Sequence, residues 1–384
     1  MNVVIISHKE CWQKATGKFV TTGGFPFQIR VISDIFDHTT LVITRRRSPA
    51  PVGALPLFGK NLEVIALDEP HGSDLRRKLA LLFWIPAHLA RLWSYIARAD
   101  AVHALVPGDV GFLGLLIALC QRKRLFIRHC GTWGEPATLA DRLLLWLLER
   151  IAGGRNVVLA TGGSDDPPSR KNRNIRWIFS STLSNSTFSD ISPSSAWKKG
   201  ELLKLITVGR LSSGKNTAAV IRALPGLAYS PVHLKIVGDG PQHRELKKLA
   251  NDMGVVDQVV FLGNLPHDEV LKALCGSHLF VFPTRVKEGF PKAVLEAMAC
   301  GLPVIASNIS VIPKLISGCG VLLSSPDSQA VSEAVDKLLQ DETEMHHMGM
   351  RARRLAEKYT LERWQAEIRS HLREAWGRLQ AGPT

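Results

Sequence analysis

Several features that mark whole classes of protein are scarce or missing in this chain of 384 residues. The 6 cysteines include no CxxC pair, so neither a structural zinc site nor a dithiol redox site is indicated. The longest stretch without a charged residue is 297–313, which Gly301 and Pro303 interrupt, so we predict no membrane-spanning helix. Residues 1–7 lack the basic start of a signal peptide, and we therefore predict a cytoplasmic protein.

Two further absences concern binding motifs. The segment 209–215 does not have the GxxxxGK[ST] spacing of a Walker A loop, and no Asp-x-Asp pair is placed to hold a metal. The chain has only 3 tyrosines, whereas a protein that binds single-stranded nucleic acid needs a basic stripe with interleaved aromatic residues. Nucleic-acid binding is therefore a remote alternative for this chain.

Positive charge, in contrast, is in excess. The chain has 48 Lys and Arg residues against 34 Asp and Glu residues, a net charge of +14, and residues 1–190 hold 24 of these cations against 15 acids. We therefore expect an anionic partner, particularly for the first half. Nucleic acid, an anionic membrane surface and a phosphorylated small molecule all satisfy this expectation.

Short apolar runs without polar alternation recur along both halves, as in strands that are buried on both faces of a parallel sheet. The gaps between the runs can hold crossover helices, which predicts two doubly wound α/β domains. The segment 180–195, rich in Ser, Thr, Asn and Pro, places the boundary near residue 190. The predicted strands are 3–6, 40–43, 101–105, 124–127 and 157–160 in the first half, and 203–208, 234–237, 259–262, 279–282 and 303–306 in the second.

The loop after strand 203–208 has the layout of a phosphate site, in which a basic loop joins a strand to a helix. Small residues let the backbone approach an anion, Arg210 offers a planar guanidinium, and Lys215 offers a point charge. A solvated turn with two surface cations is an equally good interpretation of this segment alone. The turn that contains Gly238 and Gly240 is a second and weaker signal.

A stronger signal lies in residues 288–306. Pro291 suits the first position of a helix and Gly301 suits the left-handed residue that ends it, so the exposed N–H groups of this helix follow Glu288 closely. Such a helix start attracts a phosphate. Glu288 precedes the helix and Glu296 lies on it, so the two carboxylates can contact different parts of one ligand. Acidic groups beside a phosphate site suit the recognition of hydroxyl groups. The alternative is a capping Glu288 and a solvated Glu296.

These motifs occur in a specific order: the Gly-Arg-Leu-Ser-Ser-Gly-Lys-Asn loop, the Gly-Asp-Gly-Pro turn, the run from Phe261 to Leu265, and the two glutamates. In this order the sequence resembles the retaining glycosyltransferases with the GT-B fold, the large family 4 also described as glycosyl transferases group 1. The clear match covers residues 201–316, and the first half is similar only in layout. The resemblance implies an α/β protein of two facing Rossmann-like domains with parallel sheets and a cleft between them.

The resemblance also implies a role for each domain. Residues 1–190 would bind the acceptor, residues 191–359 would bind the nucleotide-sugar, and a helix at 360–380 would pack back onto the first domain. The reaction would transfer a hexose with retention of configuration, and without a metal or other cofactor, from a UDP- or GDP-sugar to an acceptor hydroxyl. The acceptor would be a saccharide or lipid-linked saccharide in cell-surface polysaccharide or glycolipid biosynthesis. A sugar-nucleotide epimerase of the same fold is the alternative.

Position by position, the resemblance implies that Arg210 and Lys215 hold the donor diphosphate, Glu288 faces the transferred sugar, and Glu296 accepts hydrogen bonds from ribose hydroxyls. His129 would bond the donor sugar, so Glu288 and His129 are the predicted catalytic residues; a structural histidine at a strand end is the alternative for His129. The other predicted donor-binding residues lie in a turn and at the helix start: Gly238, Gly240, Gly289, Phe290 and Pro291. Gly23 and Gly24, near the amino terminus, form a candidate phosphate or acceptor loop.

The segment 74–98 combines basic with apolar residues, and Pro86 opens its second helical piece. One interpretation is contact with an anionic leaflet, which would place the protein peripherally on the inner face of the cytoplasmic membrane. An ordinary amphipathic helix with a solvated basic face is the equal alternative. The segment 143–148 is a second candidate for contact with the leaflet, but it is apolar on all sides and is predicted to belong to the core.

Overall fold

The computed structural model describes residues 1–70, 72, 74–136, 138–163 and 165–379, which form two compact units. The first unit comprises residues 1–179 and the segment from Leu361 onward, and the second comprises residues 180–360. The second unit therefore begins at Ser180, earlier than the boundary near residue 190 that composition suggests. The reason is that Ser181, Thr182 and Leu183 are already buried, and Thr182 donates a hydrogen bond to Glu296 inside the second unit.

The first unit is built around a parallel sheet whose strands alternate with helices. Its strands lie in the order β5-β3-β1-β6-β7-β8-β9, and β2 and β4 form an antiparallel extension beside the end of β1. All 6 residues of β6 are buried, as expected of a strand covered on both faces. The elements are β1 (Asn2–Gln13), β2 (Phe19–Thr21), α1 (Phe25–Ser33), β3 (His38–Arg45), β4 (Leu55–Pro56), β5 (Leu62–Asp68), α2 (Asp74–Arg98), β6 (Ala101–Val106), α3 (Asp109–Cys120), β7 (Arg124–Thr132), α4 (Leu139–Ile151), β8 (Asn156–Gly162) and β9 (Ile175–Trp177).

Helices α2, α3 and α4 cover the same face of this sheet. Val4 and Ile6 of β1 share one core with Leu92 of α2, Leu115 of α3 and Leu144 of α4. Successive side chains of a strand point to opposite faces of the sheet, so the residue between Val4 and Ile6 points to the other face. The two faces of the sheet are therefore covered by different helices.

The segment 143–148 is not wholly core, and that prediction was wrong. Leu144 and Leu148 are buried against the sheet, but Leu143 and Trp146 are exposed. The helix α4 lies on the outside of the sheet, so only one of its faces can be covered although its apolar residues extend around it. Sequence hydrophobicity alone does not distinguish these two faces.

By length and apolar composition alone, the segment Leu79–Arg98 of α2 could cross a membrane. Of its most apolar stretch, 17% is buried inside the protein. The prediction of no such helix considered only uncharged runs, and Arg91 interrupts this one. Trp84, Leu92 and Ile96 nevertheless belong to the core of the first unit. These three contacts hold α2 on the sheet.

The second unit has a sheet of 6 parallel strands in the order β12-β11-β10-β13-β14-β15. The strands predicted at 203–208 and 279–282 have those bounds in the structure. The elements are α5 (Asn185–Asp190), β10 (Leu203–Val208), α6 (Thr217–Ala223), β11 (Val232–Val237), α7 (His243–Asp252), β12 (Val259–Gly263), α8 (His267–Cys275), β13 (Leu279–Phe282), α9 (Lys292–Ala299), β14 (Val304–Ser307), α10 (Ile312–Leu315), β15 (Gly320–Leu323), α11 (Ser328–Leu338) and α12 (Glu342–Ala356).

This strand order has its topological switch point between β10 and β13, which are neighbours although two strands separate them in sequence. In doubly wound sheets, ligands bind outside the carboxyl ends of the strands at such a point. The loops that leave β10 and β13 there are 209–216 and 283–291. They contain most of the residues that the sequence suggests for the donor.

The last helix, α13 (Leu361–Trp376), is grouped with the first unit. Its buried residues recur at helical spacing and end with Trp376, whose indole N–H donates to the backbone oxygen of Arg155 at 2.7 Å. The guanidinium of the buried Arg128 in β7 lies 5.0 Å from the ring centre of Trp364. The helix predicted at 360–380 thus ends at Trp376, and residue 380 lies outside the described residues.

We expect Trp364→Ala to destabilise the first unit strongly. Trp364 is fully buried, and removing such a ring from a core costs about 3–5 kcal/mol, to which loss of the Arg128 contact adds. Urea unfolding followed by circular dichroism should show an early transition for this unit. Ser370→Ala, on the exposed side of the same helix, is the control. Equal midpoints for the two variants would contradict the importance of this contact.

Candidate functional site

Two glycine turns at the carboxyl edge of the second sheet are packed against each other. The backbone N–H of Leu211 donates to the oxygen of Asp239 at 3.0 Å, and that of Gly209 donates to Val237 at the same distance. A Cβ atom on Gly238 would lie 2.0 Å from the oxygen of Gly209, and one on Gly240 would lie 2.4 Å from that of Leu211. Only glycine fits at these two positions, because the backbones of the two turns lie so close together. This packing fixes the loop that carries the exposed Arg210.

The end of this loop is attached to β13 through Asn216. Its backbone is left-handed, with φ +56, and its amide donates to the oxygens of Pro283 at 3.0 Å and Pro326 at 2.6 Å. The buried Asn216 thereby joins the loop after β10 to the loop after β13. Because Lys215 precedes it directly, the position of Lys215 is fixed by the same contacts.

Lys215 and Glu288 form an ion pair, although 73 positions separate them. The ammonium group also lies 5.3 Å from the ring centre of Phe282, and Thr284 donates a hydrogen bond to the carboxylate of Glu288 at 3.5 Å. The hydroxyl of Ser310 donates to the backbone oxygen of Glu288 at 2.8 Å. The structure therefore brings together the two side chains that the sequence assigned to a diphosphate and to a sugar.

The helix α9 begins immediately after this pair. It comprises 8 residues from Lys292, and Pro291 is its N-cap rather than its first helical residue. No side chain caps its N–H groups, which leaves the positive end of the helix directed toward Gly289 and Phe290. Gly301 has φ +74, the left-handed conformation that the sequence predicted after this helix.

Glu296 of α9 is a buried carboxylate with two protein partners. Thr182 donates to its Oε1 atom at 2.6 Å, and Nε2 of His267, at the start of α8, lies 3.1 Å from the same atom. Burial by itself would raise the pKa of Glu296, but the hydrogen bonds and charge from His267, with help from Thr182, hold that pKa below its usual value. Glu296 is therefore an anion, neither solvated nor exposed.

His129 lies in the first unit, inside β7 rather than at its end, because the strand continues to Thr132. The imidazole is buried and meets the ring of Trp133 edge-on, with 5.2 Å between ring centres. Burial lowers the pKa of His129 to about 4. The side chain is thus a neutral group at physiological pH.

Gly23 and Gly24 also lie in the first unit. Gly23 has φ +71, and Gly24 is the N-cap of α1, which has no side-chain cap. The ammonium group of Lys9 donates to the hydroxyl of Thr22 at 3.2 Å, beside this turn. The turn therefore lies beside a lysine side chain and at the start of a helix, two features that favour an anion.

Sequence reasoning did not identify Thr182, His267 or Asn216. Asn216 carries a recognisable signal, because asparagine tolerates the left-handed conformation at the entrance to a helix. Thr182 and His267 carry none, because each meets Glu296 only through the tertiary fold, across 114 and 29 positions respectively.

The second unit is similar in sequence to known proteins. Residues 189–355 match the family described as glycosyl transferases group 1. A GDP-mannose-dependent alpha-(1-6)-phosphatidylinositol monomannoside mannosyltransferase from Mycolicibacterium smegmatis is 32% identical over 194 residues, which cover 46% of this chain and 50% of that protein. The chain thus spans at most about half the length of the curated relatives named first among its matches.

Solved structures extend the likeness to nearly the whole chain. Sucrose-phosphate synthase from Thermosynechococcus elongatus is similar with a TM-score of 0.74 at 18% identity, covering 97% of this chain and 98% of that one. An Anabaena protein in complex with UDP and glucose gives a TM-score of 0.70 at 16% identity, over 97% and 100% of the two chains. Residues 189–355 are therefore similar to the glycosyl transferases group 1 family, and the chain as a whole has the GT-B fold of these solved structures.

Proposed function

We propose that the chain is a retaining, metal-independent hexosyltransferase that moves a sugar from a UDP- or GDP-sugar to an acceptor hydroxyl. The observation that carries the proposal is the meeting of Lys215, Glu288 and the start of α9 at the switch point of the second sheet. This cluster combines cations and a helix dipole for a diphosphate with a carboxylate for sugar hydroxyls. It lies within the domain that matches the family.

In this proposal the second unit binds the donor. Arg210, Lys215 and the N–H groups at the start of α9 neutralise the diphosphate, while Gly289 and Phe290 contact the sugar and phosphate through their backbone. Glu296, held by His267 and Thr182 through one oxygen, accepts from the ribose hydroxyls. The first unit binds the acceptor, with the turn at Gly23 and Gly24 as its candidate anion contact.

The chemistry follows from these charges. The bond between the anomeric carbon and the diphosphate oxygen breaks as the acceptor oxygen bonds to that carbon on the same face. The acceptor proton passes to the leaving phosphate, so no protein nucleophile is needed. Preorganised positive charge at Arg210, Lys215 and α9 stabilises the departing diphosphate in the place of a metal ion. His129 donates or accepts a hydrogen bond as a neutral group.

For the acceptor we propose a saccharide or lipid-linked saccharide used in cell-surface polysaccharide or glycolipid synthesis, reached from the cytoplasmic side of an anionic membrane. The Mycolicibacterium smegmatis relative, whose name includes phosphatidylinositol monomannoside, supports a glycolipid acceptor. GDP-mannose in that name and UDP with glucose in the Anabaena complex support the two donor classes.

The first test is a screen of UDP- and GDP-sugars for thermal stabilisation of the purified chain, because a ligand at 100 times its Kd adds about 2.7 kcal/mol. The donor found is then incubated with and without saccharide and glycolipid acceptors. Release of nucleoside diphosphate that depends on the acceptor supports a transferase. Conversion of the nucleotide-sugar without an acceptor would instead establish the epimerase.

We expect Arg210→Ala and Lys215→Ala each to weaken donor binding about tenfold or more, because a charge-assisted hydrogen bond contributes roughly 1.5–3 kcal/mol. Isothermal titration with the nucleoside diphosphate measures the change. Lys248→Ala, at an exposed position on α7, is the matched control. Unchanged affinity in both site variants would remove the diphosphate clamp from the proposal.

The two glutamates should give different kinetic signatures. Glu288→Ala should mainly lower kcat, because its carboxylate faces the transferred sugar. Glu296→Ala should mainly weaken binding, including that of the sugar-free nucleoside diphosphate. Thr182→Val removes one partner of Glu296 with little change of shape, and it should weaken binding in the same sense as Glu296→Ala. One common signature for Glu288 and Glu296 variants would refute the division of roles.

The neutral state of His129 predicts a specific pH behaviour. Since burial lowers its pKa to about 4, the folded protein takes up no proton at His129 between about pH 6 and 8, and turnover should show no step from it there. His129→Ala should lower kcat/KM roughly three- to tenfold, the loss of one hydrogen bond. His129→Gln should recover part of that loss. A wild-type step near pH 6.5 that His129→Gln abolishes would contradict this role.

A further inference from the structure

Exposed apolar side chains are concentrated on one layer of helices in the first unit. Among the described residues, 16 large hydrophobic side chains are exposed, and 9 of these lie on α2, α3 and α4. The most exposed are Phe83 on α2, at 81%, and Leu139 on α4, at 79%. Single exposed apolar residues are normal, but a contiguous group of this kind marks an interaction surface.

The three helices present these residues away from the sheet. Leu92 on α2, Leu115 on α3 and Leu144 on α4 lie in the core beneath them, shared with the strands. Side chains such as Leu82 and Leu143 are exposed on the same helices. The outward sides of α2, α3 and α4, which we call the helical face, therefore form one surface with a common direction.

The charges on the helical face have one sign. Every described side chain on α2, α3 and α4 that is both charged and exposed is an arginine: Arg76, Arg91, Arg98, Arg142 and Arg150. The guanidinium of Arg150 lies 4.6 Å from the ring centre of Trp146, so cation and aromatic ring are combined at the surface. Apolar side chains surrounded by arginine, with tryptophan among them, suit the boundary between acyl chains and anionic headgroups.

The acids with described side chains on these helices are half-buried, and each is bonded within the unit. Asp109 accepts from Arg77 at 2.7 Å, Asp141 accepts from the backbone of Thr138 at 2.9 Å, and Glu149 accepts from Ser169 at 2.9 Å. They therefore do little to offset the arginines toward solvent. A second copy of this chain is a poor occupant of the helical face, because a two-fold contact would bring arginine against arginine.

We propose that the helical face binds an anionic lipid bilayer, with the apolar residues of α4 inserting alongside those of α2. This inference identifies the surface that would hold the first unit at the membrane. It rests on the proposed function for the role of a lipid-linked acceptor. The helices lie in the plane of the bilayer rather than across it, since their inner sides are committed to the core.

The test uses the full chain and flotation with vesicles of phosphatidylglycerol and phosphatidylcholine in equal parts, or of phosphatidylcholine alone. The wild type should float with the anionic vesicles at low salt and less so at high salt. Leu139→Asn with Leu143→Asn should lower the vesicle-bound fraction roughly tenfold without changing net charge. Met253→Asn with Val256→Asn, exposed apolar residues of the second unit, is the matched control and should float as the wild type does.

Arg142→Gln with Arg150→Gln should weaken flotation on anionic vesicles and leave the weak binding to phosphatidylcholine unchanged. Full flotation of the Leu139 and Leu143 variant would overturn the role of α4 and leave α2 as the only contact. A wild type that stays in the soluble fraction, or that is a dimer by light scattering and loses dimerisation in this variant, would overturn the bilayer as the partner.

Donor binding separates this inference from the proposed function. The Leu139 and Leu143 variant should keep the thermal stabilisation by nucleotide-sugar that the wild type shows, because neither residue belongs to the second unit. A wild type that floats but binds no nucleotide-sugar would refute the proposed function and leave the bilayer surface intact. A wild type that binds donor but does not float would refute the bilayer surface and leave the proposed function intact.

Discussion

The ion pair between Lys215 and Glu288 is the contact on which the geometry of the second unit's site depends. It joins the loops that leave two neighbouring strands, and it adds a direct link between their charged side chains to the contacts that Asn216 and Thr284 make. Asn216 makes the pair possible, because its left-handed backbone turns the chain and its amide anchors the turn to the loop after β13. The pair is partly buried and directly precedes the start of α9.

Glu296 is a second carboxylate of this region, and it is held by hydrogen bonds from Thr182 and His267. A carboxylate removed from water is costly unless hydrogen bonds compensate, and here Thr182 and His267 both bond to one oxygen atom. That arrangement fixes the side chain in one rotamer before any ligand binds, so little ordering is left for the binding event. The short segment that contains Thr182 belongs to the second unit for this reason, and it explains why the unit begins at Ser180.

Sequence reasoning succeeded where a local rule determines structure. The strands at 203–208 and 279–282 are apolar throughout and bounded by turn residues, and Gly301 has the conformation that a helix end demands. It missed strands such as Ile175–Trp177 and Gly320–Leu323, which have three and four residues and are only partly buried, so pairing with a neighbouring strand decides them. The site followed the same pattern. Loop residues were recognisable by type and order, but the partners of Glu296 come from distant parts of the chain.

The error over α4 has a physical cause that bears on the first unit as a whole. A helix that is apolar on all sides is normally buried on all sides, and hydrophobicity cannot tell whether a second covering layer exists. In the first unit the sheet covers one side of α2, α3 and α4, and 9 large apolar side chains among the described residues of these helices remain exposed. Exposing them to water would favour aggregation unless another apolar phase covers them. The exposed arginines on the same helices favour a covering phase with negative charge at its surface, so the bilayer that we propose would accommodate both the apolar side chains and these cations.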